Sequence, residues 1–199
     1  MSRMMAWLLG VMVCLSAAAI RAQAPHEWPT YPIKEAPAAL RPATQHGDMI
    51  IISIQNAVLS ELTRELTQGG PGDAIQVCHM SATTIVHRIG REEGVSAGRT
   101  SARVRTPSNA PRAWAAPIVA RYAESRAAGL DGFVVDLGNK VGVMRPVAHR
   151  AVCSPCHGLE EQLNSRVRVE LKDRYPVDRA TGFKEGDLRG WIWVEVPKR

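Results

Sequence analysis

The chain has 199 residues and a mass of 21.7 kDa, enough for one domain with a substantial core. With 45% hydrophobic and 22% charged residues and a mean hydropathy of −0.13, it reads as a soluble globular chain and excludes both a polytopic membrane protein and a disordered one. A formal charge of +6 raises nucleic acid as a partner, but the N-terminus directs the chain to an exported compartment, and no nucleic-acid partner is expected.

Residues 1–22 read as a signal peptide: Arg3 supplies the positive start, residues 4–20 are apolar except for Gly10 and Ser16, and small residues gather from Ala17 to Ala24. Cleavage is expected after Ala22, within about two residues, which places the mature chain in the periplasm. The apolar run is close to the roughly 17 residues that span a bilayer, so an uncleaved signal would serve as a membrane anchor. Loss of Arg3 and Arg21 lowers the charge to about +4. It also removes Cys14 and leaves Cys78, Cys153 and Cys156. Three thiols in an oxidising compartment cannot all close into internal disulfides.

Residues 23–45 carry Pro25, Pro29, Pro32, Pro37 and Pro42 and read as an extended arm. From Asp48, the spacing of Ile51, Ile54, Val58, Leu62 and Leu66 predicts an amphipathic helix that ends at Gly69-Gly70-Pro71. Asp73 is placed to cap a second helix reaching Glu93, with Ile75, Cys78, Ala82, Ile85 and Ile89 at intervals of three and four. His79 lies about 100° further round that helix, on a face with Ile75, Ala82 and Val86. Gly94 and Gly98 open a loop into the basic stretch Arg103-Val104-Arg105. Asn109 is placed to cap a helix over 110–128, residues 133–137 and 141–147 read as a hairpin across Gly138-Asn139, and 188–196 as a final strand. Helices first and antiparallel strands later make an α+β chain, with one domain over residues 46–199.

Cys153-Ser154-Pro155-Cys156-His157 has the C-x-x-C-H spacing of covalent c-type haem attachment. Two cysteines three apart reach both vinyl groups on one porphyrin edge, and the adjacent histidine becomes the proximal iron ligand. A thioredoxin-type C-x-x-C would sit early, between a strand and a helix, and a zinc ribbon needs a second C-x-x-C. One haem c is therefore the expected cofactor. All seven methionines precede the motif, so the Met ligand that follows it in small electron carriers is missing. Spacing leaves Cys78 and His79 level as distal ligands, with Met80, Met144 and His149 behind them. Arg99, Arg103 and Arg105 are candidates for the haem propionates, as guanidinium pairs carboxylate bidentately, with a solvated loop as the alternative. Trp114, Trp191 and Trp193 read as ordinary core or sheet residues.

Gly70-Pro71-Gly72-Asp73-Ala74-Ile75-Gln76-Val77-Cys78 is similar to the "GP..AI.VC" stretch of a family of secreted c-haem domains with a PAS-like fold, catalogued as a domain of unknown function. The stretch from Gly98 to Pro111 resembles that family's "GRTS.R.RNP.NAP", with Thr106 where the pattern favours Asn. The late C-x-x-C-H-G and the stretch from Tyr175 to Gly190 match as well, so the resemblance covers residues 46–197. It implies a PAS-like antiparallel sheet and His/Cys axial ligation, which maps onto His157 and Cys78 and leaves His79 as the fallback. A thiolate opposite imidazole stabilises Fe(III) and predicts a low potential. The expected roles are electron transfer with a redox partner protein, or redox or gas sensing with a small gas ligand. The alternative is a peroxidase-type enzyme with an open distal face, for which His79 would be the acid/base.

Overall fold

Valines recur along three segments of the chain, at 133–136, 140–148 and 188–197, and their pairing defines the two faces of a sheet. The computed structural model describes residues 27–76 and 80–198. Its strands are β1 Thr30–Pro32, β2 Ser96–Thr100, β3 Phe133–Asp136, β4 Lys140–Ala148 and β5 Leu188–Pro197. They form one antiparallel sheet in the order β1-β3-β4-β5-β2. The helices are α1 Arg41–Gln68, α2 Gly70–Gln76, α3 Ala82–Glu92, α4 Ala116–Arg121, the single turn α5 Ser154–His157, and α6 Ser165–Arg174. The fold is α+β. The expected signal peptide lies outside the described residues, and no helix among the described residues is long and apolar enough to cross a membrane.

Register aligns Val134 with Val143, and Val143 with Val194. These residues are fully buried against Ile50, Ile51 and Ile54 of α1 and Val86 and Ile89 of α3. Each such side chain contributes about 1.5–3 kcal/mol by leaving water. The close approach is set at Gly47, where an added Cβ would lie 2.9 Å from Val143 and 3.0 Å from Val194. The opposite face carries Val135, Met144, Trp191 and Trp193, covered by Trp114, Ala115, Ile118 and Val119. Trp114 meets Trp193 edge to face, with ring centroids 6.2 Å apart. The three tryptophans are core residues, as their strand and turn positions suggest.

Five expectations about the elements change. The first helix begins at Arg41 rather than Asp48, because Pro42 falls in its first turn, where a missing N–H costs nothing. Part of the proline-rich stretch joins the sheet as β1, and Ala36 and Leu40 enter the core. The second helix starts at Gly70, not Asp73. The helix expected over 110–128 shrinks to α4, since Ala110 precedes Pro111 and is held extended at ψ 146°, so Asn109 cannot cap it. The Gly94 and Gly98 loop is instead a turn and strand β2, with Gly98 paired to Trp193.

The helix α1 is about 42 Å long at 1.5 Å per residue. Its buried residues end at Ile54, and its apolar stripe continues past the sheet contact through Val58, Leu59 and Leu62.

Candidate functional site

That overhanging stripe forms one wall of a cleft of about 230 Å³ that is open to solvent on one side. Val147, Trp191 and Ile192 from the ends of β4 and β5 form the floor. The C-x-x-C-H segment closes the cleft, with Cys153, Cys156 and His157 all on its surface. Three elements distant in sequence thus meet at the motif, around a cleft lined mainly by apolar side chains.

The motif is held by its neighbours rather than by its own short turn. Cys156 is buried with Ile75, Leu163, Val167, Leu171 and Tyr175 in a small core that joins α2 to α6. Its Sγ lies 3.7 Å from the Pro71 carbonyl oxygen. Ser154 Oγ is 3.1 Å from Nε2 of His149, a buried ring stacked on Phe183. Burial, and then the charge of Arg189, lower the pKa of His149. The backbone of residues 157–158 accepts bonds from Gly182 and Phe183, at 2.7 and 3.0 Å.

His157 donates its Nδ1–H to the Ala180 carbonyl at 2.6 Å. This leaves Nε2 as the lone-pair nitrogen, and the guanidinium of Arg189 lies 3.5 Å from it. Burial pushes the pKa of His157 well below the usual histidine range, and Arg189 and Arg105 push it further, so the ring is neutral at pH 7. A neutral imidazole with one nitrogen already bonded is the form that ligates a metal.

Charge is unevenly distributed around the cleft. Arg99, Arg105, Arg150 and Arg189 line it, and no carboxylate is among its described lining residues. Of the three arginines singled out from the sequence, Arg99 and Arg105 reach the cleft. Arg103 turns away, lays its guanidinium 3.7 Å from the Phe183 ring centroid and donates to the Thr181 carbonyl. Arg105 is 6% exposed and is no solvated loop residue. It is paired with Asp178, while its buried Nη1 has no hydrogen-bond partner among the described residues.

The structure therefore brings Cys153, Cys156, His157, Arg99 and Arg105 to one cleft. Cys78 and His79 lie outside the described residues. Among the weaker distal candidates, Met80 is 60% exposed and Met144 is buried on the far face of the sheet. His149 supports the motif through Ser154. Sequence reading missed Asp178, the Ala180 carbonyl, the place of Arg150 and Arg189 on the cleft, and the apolar wall of α1. The one local signal was the Asx turn at Asp178, whose Oδ1 accepts the Ala180 N–H at 2.7 Å.

Comparison with known proteins gives the site its context. No curated protein sequence matches the chain. Among solved structures, the crystal structure of the cyanobacterial heme-protein Tll0287 is similar, with a TM-score of 0.56 and 22% identity over 75% of this chain and 93% of that one. At that identity the likeness is one of fold. A family model described as Tll0287-like matches residues 12–197, nearly the whole sequence and both halves of the cleft. The chain belongs to the Tll0287-like family.

Proposed function

We propose that the protein is an exported, periplasmic c-type cytochrome with a PAS-like fold, carrying one covalent haem and acting in electron transfer or in redox or gas sensing. The observation that carries this reading is the placement of Cys153, Cys156 and His157 together on the wall of an apolar cleft with a cationic margin. The structurally similar cyanobacterial protein is described as a heme-protein, which supports the same cofactor here.

The residues present fit the group. Cys153 and Cys156 lie i, i+3 across a single helical turn and would hold it by thioethers. His157 has Nδ1 committed to Ala180, and its Nε2, which the Arg189 guanidinium meets at 3.5 Å, would become the iron ligand with that guanidinium displaced. Arg105 keeps a buried Nη1 without a partner among the described residues, and with Arg99 it would face the propionates. When bound, haem supplies a one-electron Fe(III)/Fe(II) couple. Val58, Leu59 and Leu62, on the wall of the cleft, would shield a group held there from water. Arg189 and Arg105 bring positive charge to His157, while a Cys78 thiolate, if it ligates the iron, would bring negative charge to it and hold the potential low.

Co-expression with a haem-attachment system should yield a protein that keeps its haem through denaturing electrophoresis. The double variant Cys153→Ser, Cys156→Ser should lose it, and retention there would overturn covalent attachment at this motif. In the loaded protein, Cys78→Ser should abolish a thiolate-type low-spin ferric EPR signal. An unchanged spectrum would take Cys78 off the iron and bring His79 forward. Fast electron exchange without turnover is expected on mixing with redox partners, whereas rapid peroxide turnover would instead establish a peroxidase.

A further inference from the structure

Arg105 and Asp178 are 73 positions apart in sequence and form an ion pair at 3.0 Å, with side chains 6% and 11% exposed. Both arms of this pair lead to His157. Asp178 Oδ1 accepts the Ala180 N–H at 2.7 Å and so fixes the peptide whose carbonyl accepts the His157 Nδ1–H at 2.6 Å. The Arg105 Nη2 donates to the Cys156 carbonyl at 2.6 Å, one residue before His157, and approaches the Ala180 carbonyl at 3.4 Å. One planar guanidinium therefore clamps the backbone that carries the imidazole and the turn that accepts its Nδ1–H bond. The Tyr175 ring, 5.5 Å below, helps hold the clamp in place.

We infer that Arg105 and Asp178 are positioning residues that fix the Nδ1–H tautomer and the orientation of His157. A hydrogen bond at one ring nitrogen decides which proton the imidazole keeps and how strongly the other nitrogen donates electrons. A lysine carries the same charge but lacks the planar fork, so its single ammonium on a flexible stem does not reproduce the geometry that meets all three acceptors. The consequence at iron rests on the proposed haem reading, while the consequence at the imidazole does not.

The test begins with the full chain prepared without haem, using long-range proton–nitrogen NMR of the histidine rings. His157 should appear in the Nδ1–H form in the wild type. It should shift towards the Nε2–H form in Arg105→Lys, in Asp178→Asn, and in the milder Asp178→Glu, with the fold checked by near-UV circular dichroism. In the haem-loaded protein, the charge-conserving Arg105→Lys and Asp178→Glu should both raise the midpoint potential and move the paramagnetically shifted Nδ1 proton signal. A purely structural or purely electrostatic role would leave that signal in place in the charge-conserving variants. A wild-type His157 in the Nε2–H form, or folded variants that keep the wild-type signal, would overturn the inference. A chain that shows the tautomer shift but takes up no haem would overturn the haem reading alone.

Discussion

Glu195 sits within β5 with its side chain 7% exposed, a carboxylate surrounded by donors. Its Oε1 accepts the indole N–H of Trp114 at 3.0 Å and two guanidinium N–H groups of Arg112 at 3.0 and 2.9 Å, and Lys140 lies 3.5 Å from Oε2. Burial alone would raise its pKa, but the bonds from Trp114 and Arg112, with the charges of Arg112 and Lys140, take it below the usual carboxylate range. A carboxyl with a depressed folded pKa contributes stability above its unfolded pKa, about 4.3, and loses it as the pH falls through the folded value. Glu195→Gln should cost about 1–3 kcal/mol at pH 7, the penalty for imperfectly pairing buried polar groups. The gap in urea unfolding free energy between wild type and variant should narrow as the pH is lowered from 5 towards 3. A gap that stays constant over that range would show that the contact is held by shape and not by charge.

Strand β2 shows why some elements could be read from the sequence and others could not. Ser96-Ala97-Gly98-Arg99-Thr100 has one β-branched residue and a central glycine, a composition that reads as a loop. It becomes a strand because β5 offers it an edge, and Gly98 is the reason the edge fits. A Cβ there would lie 2.3 Å from Cζ2 of Trp193, whose ring lies over the glycine. Gly98→Ala should therefore destabilise the protein by about 1–3 kcal/mol through overpacking. Ser96→Ala, at an exposed position on the same strand, should leave the thermal midpoint within error. Equal midpoints for the two variants would contradict the packing account. By contrast, β3, β4 and β5 were legible, because β-branched alternation and the Gly138-Asn139 turn, with Gly138 at φ +84°, are local signals. The same division holds at the cleft. Cys153, Cys156 and His157 are recognisable from adjacency alone, whereas the Arg105–Asp178 pair joins residues that only tertiary structure brings together. The α1 wall was visible as an amphipathic stripe, but not as two stretches with different roles, one for the sheet and one for the cleft.

The cores of the molecule are unequal, and that asymmetry predicts where it opens first. Two large clusters share the sheet, one on each face, so each stabilises the strands that the other needs. The third, around Ile75, Cys156, Leu163, Val167, Leu171 and Tyr175, borders the cleft and draws on no strand residue. Besides the contact of α2 with α1, it is joined to the rest through the Arg105–Asp178 pair, the Arg179 N–H to Val104 carbonyl bond, and the bonds between residues 157–158 and 182–183. Small contiguous units with few apolar ties to the main core open at lower free energy than the whole protein. Without haem, the amides of α6 should therefore exchange with solvent faster than those of β3, β4 and β5. A cofactor tethered to Cys153 and Cys156 and seated against α1 and the sheet would bridge the third cluster to the first and be linked to its closure. Haem loading should then slow exchange across residues 165–174 far more than across the central strands. Hydrogen exchange read by mass spectrometry on the haem-free and loaded full chains tests both statements. Uniform protection in the haem-free chain would show that the third cluster folds with the sheet as a single unit, and that the cleft is rigid before anything binds in it.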